Sequence, residues 1–255
     1  MGWLPTLIGH RGSAATAPEN TLAGIRAAHA AGAQAVELDV KLSRDGVAML
    51  MHDDRLERTT NGVGRVVDAD WATLKGLDAG YTARFGDQFA GEPIPDLKSV
   101  LALLVDLGLG ANLEIKPCPG RERETAAATV AAVEAHWPAG LVPPVLSSFQ
   151  RVCLEVAQAL APGLPRGYLV EELGADWQAE AKALQCVSVH PGRKALTQAH
   201  ARAVVAAGFE LVIWTVNDVD EAVLWRRTGA SAIITDDPVR LAPALGVTAE
   251  GRTDA

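Results

Sequence analysis

The sequence predicts an α/β protein folded as a (β/α)8 TIM barrel, and three observations predict it. Eight short apolar or β-branched segments are each followed, sooner or later, by a helical pattern. The alternation fits within about 250 residues, the usual length of such a barrel. Polar side chains collect at the C-terminal ends of the strands, where this architecture keeps its active site. With 255 residues and 49% hydrophobic content, the chain can bury one large core. It reads as a single domain over 1–255 with a small cap-like insertion, 55–95, after the second strand.

The first strand, Leu7 to His10, leads through a turn into an Ala-rich helix from Thr21 to Ala31, with Asn20 as N-cap and Gly32 closing it. The second strand is Ala35-Val36-Glu37-Leu38-Asp39-Val40. Strand side chains alternate faces, so Glu37 and Asp39 point one way and Val36, Leu38 and Val40 the other. Ser43-Arg44-Asp45-Gly46 then signals a hairpin. Its return limb, Val47 to Met51, brings His52 back beside Glu37 and Asp39.

From Arg55 to Pro95 the rhythm breaks, with Thr59-Thr60-Asn61-Gly62 and the aromatics Trp71, Tyr81, Phe85 and Phe89. An excursion of that length between core elements is usually functional. Pro95-Asp96 opens a helix through Leu97, Val100, Leu101 and Leu104 to Gly108. Strands recur at Leu113 to Lys116, Val145 to Phe149, Arg166 to Val170, Val187 to His190, Leu211 to Val216 and Ala232 to Thr235. Helices alternate with them over Glu122 to Trp137, Gln150 to Leu160, Ala175 to Leu184, Thr197 to Ala207, Asp218 to Thr228 and Val239 to Leu245, and the tail Glu250 to Ala255 frays.

Composition narrows the function. A formal net charge of -8 and a pI near 5.3 argue against nucleic acid or an anionic membrane surface as the main partner. No apolar run reaches the roughly 18 residues of a membrane span, so stable membrane insertion is not expected. Cys118, Cys153 and Cys186 form no CxxC pair and no even-numbered framework; they read as reduced packing thiols of a cytoplasmic protein. No secretory signal is apparent at the N-terminus. Met1-Gly2-Trp3-Leu4-Pro5-Thr6 fits a myristoylation pattern formally, but Thr6 opens a strand. The oligomeric state has no sequence mark.

The chemistry gathers at the strand ends. Glu37, Asp39 and Glu114 offer three hard oxygen donors from neighbouring strands, with no cysteine or HExxH pattern beside them, which suits Mg²⁺ or Ca²⁺ over zinc. A carboxylate–lysine network plugging the barrel mouth is the plainer alternative. His10 and His52 form the natural acid–base pair, since imidazole titrates near neutral pH. Arg11 and Lys116 either hold a phosphate or pair with neighbouring acids. Trp214 and His190 either pack in the core or line the mouth. Asp236-Asp237-Pro238 caps the last helix first and touches ligand second. His29, His136 and His200 fall on helical stretches as ordinary surface or packing residues.

Taken in order, Gly9-His10-Arg11-Gly12, Pro18-Glu19-Asn20-Thr21, Glu37-Leu38-Asp39-Val40, Asp45-Gly46 leading to His52-Asp53, and Thr59-Thr60-Asn61-Gly62 make a distinctive set. Leu77-Asp78-Ala79-Gly80, Ile94-Pro95, Glu114-Ile115-Lys116, Trp214-Thr215-Val216-Asn217 and Ile234-Thr235-Asp236 continue it across nearly the whole chain. The set resembles the glycerophosphodiester phosphodiesterase family, especially its small bacterial members. The resemblance implies metal-dependent hydrolysis of a small-molecule glycerophosphodiester to sn-glycerol 3-phosphate and an alcohol. It also implies a divalent cation on Glu37, Asp39 and Glu114, His10 and His52 as general acid and base, and phosphate on Arg11 and Lys116. Asp96 and Ala232 depart mildly from the usual pattern, at positions away from this chemistry. A lysophospholipase D-type reaction, with an apolar groove near Phe85 and Phe89, and a non-catalytic phosphodiester-binding barrel are the alternatives.

Overall fold

The structure is a computed structural model that describes residues 2–247; the tail Glu250 to Ala255, expected to fray, lies outside the described residues. In chain order the elements begin β1 (Leu7–His10), α1 (Leu22–Ala30), β2 (Ala35–Leu42), β3 (Ala48–Leu50), α2 (Trp71–Leu74), α3 (Thr82–Phe85) and α4 (Leu97–Leu107). They continue with β4 (Gly110–Ile115), α5 (Glu122–His136), β5 (Val145–Ser148), α6 (Arg151–Leu160), β6 (Arg166–Val170) and α7 (Trp177–Ala183). The last are β7 (Ser188–Pro191), α8 (Gln198–Ala206), β8 (Glu210–Ile213), α9 (Val219–Thr228), β9 (Ala232–Thr235) and α10 (Pro238–Leu241).

Eight parallel strands close a ring in the order β1-β2-β4-β5-β6-β7-β8-β9, with β9 returning to β1. The ninth strand, β3, lies outside the ring. β1 stops pairing with β2 at His10–Glu37, and β3 runs antiparallel along the rest of that edge, Val40–Leu42 against Ala48–Leu50. The backbone N–H of Met51 then donates to the Asp39 carbonyl at 3.1 Å. That bond delivers His52 to the level of the β2 carboxylates, as the hairpin predicts.

Every residue of β2 is buried, which a parallel strand covered on both faces requires. Its two faces nonetheless differ. Val36, Leu38 and Val40 pack outward with Leu113 and Ile115 against Val100, Leu101 and Leu104 of α4. On the inner side, Leu4, Ile8, Ala35, Val145, Val212 and Ala232 fill the floor of the barrel. A second outer cluster, around Leu211, Ile213, Ile233 and Trp225, covers the opposite arc. Residues 55–95 carry a small core of their own, in which Leu56, Val66, Leu74, Ala79 and Ile94 pack on Met49 and Met51.

The helix ends show which polar residues are spent locally. Thr197, Asp218 and Asp96 cap α8, α9 and α4, and Asp96 accepts from Ser99 N at 2.8 Å, so its departure from the family pattern has a local use. Thr21, not Asn20, caps α1, accepting from Gly24 N at 3.0 Å. Asn20 sits at φ 56 with its side chain committed to Asp39, and so is removed from the helix. The last helix ends at Leu241 rather than Leu245: Ala242 still has helical backbone, but Pro243 has no N–H with which to donate the next helical bond. β8 stops at Ile213, and Trp214 keeps only an isolated bridge to Gly192.

All three cysteines are free and buried. Burial pushes the Cys153 thiol up to about 11 and Cys186 up to about 12, so both are packing residues. Among the described residues no helix is long and apolar enough to cross a membrane. Leu113 is fully buried at the centre of the largest outer cluster. Leu113→Ala should therefore cost about 2–5 kcal/mol in chemical denaturation; a loss below about 1 kcal/mol would mean that this face is not close-packed.

Candidate active site

The strand-end residues converge on one cavity of about 100 Å³ lined by His10, Arg11, Glu37, His52, Glu114, Lys116 and Trp214, together with Asn112, Phe149, Leu169, Glu171 and Ile234. His10 and Arg11 reach it through the turn that ends β1. Gly12 lies at φ 92, and a Cβ there would come within 2.5 Å of the Gly24 backbone. Only glycine allows the chain to pass so close to α1, and the tight turn holds Arg11 at φ 52.

Glu37, Asp39 and Glu114 each present an oxygen such that all three lie within 4.8 Å of one another, and all are buried. Burial raises Glu37 well above the usual carboxylate range, and the charges of Asp39 and Glu114 raise it further. Burial and then Asp39 push Glu114 up to about 7. Asp39 behaves differently. Burial alone would raise it, but Arg11, Lys116 and His52 outweigh burial, and Asn20 donates to it at 2.8 Å, so it lies well below the usual range. One ionised carboxylate beside two that resist ionisation is a site short of positive charge. The residues therefore fit a divalent cation: three hard oxygen donors, buried, and relieved of mutual repulsion by a metal charge.

Each histidine is oriented by a carboxylate. His10 Nδ1 donates to Asp236 Oδ1 at 2.6 Å, and His52 Nδ1 donates to Asp53 Oδ1 at 2.6 Å. With Nδ1 engaged, Nε2 is the nitrogen left for chemistry; His10 Nε2 lies 3.8 Å from Glu37 Oε2. Burial holds the His52 imidazole below its ordinary value despite Asp39. Asp236 is thus a partner of His10 rather than a cap, and Asp237 caps α10 by accepting from Arg240 N. Asn217 fixes Asp236, donating to its Oδ2 at 2.7 Å and accepting from its backbone N–H at 2.9 Å.

Arg11 and Lys116 line the cavity and are also paired with acids. Arg11 donates to Glu19 at 2.8 Å and lies 3.3 Å from Asp39; Lys116 donates to Glu114 at 2.9 Å and lies 3.4 Å from Asp39. Arg58, from the 55–95 segment, extends this network. It donates to both oxygens of Glu19 at 2.7 Å and to those of Asp53 at 2.6 and 2.9 Å. A chain of charge-assisted bonds therefore runs Arg11–Glu19–Arg58–Asp53–His52.

His190 does not join the cavity. It is fully buried, shares a 2.7 Å hydrogen bond with Ser188 and is pushed by burial down to about 3, while its carbonyl accepts from Trp214 Nε1 at 2.9 Å. His29, His136 and His200 lie on α1, α5 and α8, away from the cavity. Phe85 and Phe89 pack edge-to-face at 5.5 Å, with Tyr81 beyond them, and none of the three lines the cavity. Sequence reasoning missed the contributions of Glu19, Asn20, Asp53, Arg58, Phe149 and Glu171. The first three stand inside the motif runs; the others carry no local signal.

Fold and cavity together define a (β/α)8-barrel enzyme whose acid–base side chains surround a cluster of buried carboxylates. The glycerophosphoryl diester phosphodiesterase family model matches residues 10–240. A glycerophosphodiester phosphodiesterase of Caldanaerobacter subterraneus subsp. tengcongensis is 35% identical, over 92% of this chain and 95% of its own. One from Bacillus subtilis is 31% identical, over 87% and 81%. An Oleispira antarctica phosphodiesterase, solved in complex with the product sn-glycerol-3-phosphate, superposes with a TM-score of 0.92 at 38% identity, covering 96% of this chain and 98% of that one. The chain belongs to the glycerophosphoryl diester phosphodiesterase family and is an enzyme of that family.

The electrostatics generate a pH prediction. A carboxyl must be ionised to ligate a cation, and Glu114 is protonated below about 7. Affinity for Mg²⁺ or Ca²⁺ should weaken by at least about tenfold per pH unit below pH 7, because Glu37 resists ionisation as well, and binding should release at least one proton. Calorimetry in buffers of different ionisation enthalpy reads both. Binding that is equal at pH 6 and 8 would show that Glu114 is already ionised in the metal-free protein.

Proposed function

We propose that the protein hydrolyses glycerophosphodiesters to sn-glycerol 3-phosphate and an alcohol. The observation that carries this reading is the pair of histidines, each tied by Nδ1 to its own carboxylate, at one cavity with a buried three-carboxylate cluster. A binding protein has no use for two such oriented imidazoles. In this reading residues 55–95 form a cap within a single domain, consistent with one family match running through them. The three free, buried cysteines support a cytoplasmic location.

Glu37, Asp39 and Glu114 would hold the divalent cation, Mg²⁺ or Ca²⁺, which when bound supplies positive charge against the phosphoryl oxygens. Arg11 and Lys116 bind the phosphate from the side, the first as a planar fork and the second as a point charge. Charge develops on the phosphoryl and departing oxygens as the bond to the alcohol breaks, and fixed cations in a cleft stabilise it without reorganisation. One histidine takes at Nε2 the proton of the attacking hydroxyl: water, which gives sn-glycerol 3-phosphate directly, or the glyceryl 2-hydroxyl, which gives a cyclic phosphate that water then opens. The other gives its proton to the alcohol oxygen. Asp236 and Asp53 hold the two rings in the tautomer and orientation this exchange needs.

His10→Ala and His52→Ala should each lose at least about a hundredfold in kcat with an unchanged circular dichroism spectrum; near-native turnover in either would remove that residue from the mechanism. Protein stripped with EDTA should release no glycerol 3-phosphate from glycerophosphocholine or glycerophosphoethanolamine, and Mg²⁺ or Ca²⁺ should restore release. Unchanged turnover of both substrates by fully stripped protein would sink the metal-dependent reading.

A further inference from the structure

The cavity is divided. β6 lies four strands round the ring from β1, and β8 four from β4. The charged side chains of β1, β2 and β4 therefore face a wall built at the ends of β5, β6 and β8: Phe149, Leu169, Glu171 and Trp214. On that wall Glu171, exposed at the cavity mouth, is the one ionisable group. Among the described residues it has no hydrogen-bond or ion-pair partner, although every other carboxylate that lines the cavity is paired. Gly192, which bridges to Trp214, lies against Glu171: a Cβ there would come within 2.8 Å of the Glu171 carbonyl oxygen and 3.4 Å of its Oε2, so the two strand ends pass close together.

An exposed carboxylate on the far wall of an anion site opposes anion binding only weakly, through water, and favours a ligand that brings a hydrogen-bond donor to replace that water. With phosphorus at the cationic wall, the group that crosses the cavity is the remainder of the substrate. A glyceryl end offers a terminal hydroxyl, and its carbon skeleton suits the faces of Trp214 and Phe149. A quaternary ammonium suits them less. The Phe149 ring already lies 5.7 Å from Lys116 Nζ and packs edge-to-face on Trp214 at 5.5 Å, so a second cation would sit beside the first.

Resting on the hydrolytic reading above, we propose that Glu171 is the specificity-determining residue for the glyceryl end of the substrate, accepting a hydrogen bond from the hydroxyl farthest from phosphorus. The 2-hydroxyl stays free for the chemistry. Glu171 touches no reacting atom, so its contribution is selective binding, made equally for any leaving alcohol.

The test compares the metal-loaded protein with Glu171→Ala and Glu171→Gln. By calorimetry, Glu171→Ala should weaken sn-glycerol 3-phosphate at least tenfold relative to inorganic phosphate. The ratio of kcat/KM for glycerophosphoinositol to that for bis(p-nitrophenyl) phosphate, which has no glyceryl group, should also fall at least tenfold. Glycerophosphocholine should fall in step, and Glu171→Gln should lie between. An unchanged ratio overturns the proposal, as does a loss confined to glycerophosphocholine, which would make Glu171 a cation site. Wild-type protein that cleaves bis(p-nitrophenyl) phosphate, cleaves no glycerophosphodiester and binds the two phosphates alike would instead sink the hydrolytic reading itself.

Discussion

Three carboxylates buried within 4.8 Å of one another are the constraint on which the rest of this site depends. Their mutual repulsion and lost hydration are too costly to leave uncompensated. The chain answers in part with its own cations: Arg11 and Lys116 converge on Asp39 and keep it ionised. Glu37 and Glu114 remain under-neutralised. That residual demand suits a bound cation better than it suits a plug of salt bridges.

The barrel makes such a concentration tolerable. Beneath the polar layer, Ile8, Val145 and Val212 fill an apolar floor, and the outer faces pack on helices. The strands are thus fixed from both sides before the charged residues are placed, and stability drawn from apolar burial offsets strain at the mouth. His190, which has no role in the cavity, is buried in neutral form.

The 55–95 segment enters this arrangement through electrostatics more than through contact with the cavity. Its own apolar core holds it on β3, and its aromatic side chains Tyr81, Phe85 and Phe89 stack on one another. Arg58 ties it to the site, clamping Glu19 and Asp53 together. Through those two acids one guanidinium touches the neighbours of both Arg11 and His52, so the orientation of groups from β1 and from the hairpin is shared across the insertion.

By itself the sequence determined what depends on local periodicity. Alternation put Glu37 and Asp39 on one face, the Asp-Gly turn returned His52 to them, and eight strand–helix repeats implied the barrel that brings Glu114 and Lys116 alongside. These rules involve neighbours within a few residues or one strand pairing. Tertiary structure alone decided the pairings between distant segments: Asn20 to Asp39 rather than to its helix, Asp236 to His10 across the closure of the ring, Arg58 between Glu19 and Asp53, and Glu171 left without a partner on the far wall. A carboxylate reads the same in sequence whether it caps a helix, orients an imidazole or waits for a ligand. Which of these it does is fixed by what the closed ring places within 3 Å of it, and that distance is set by packing.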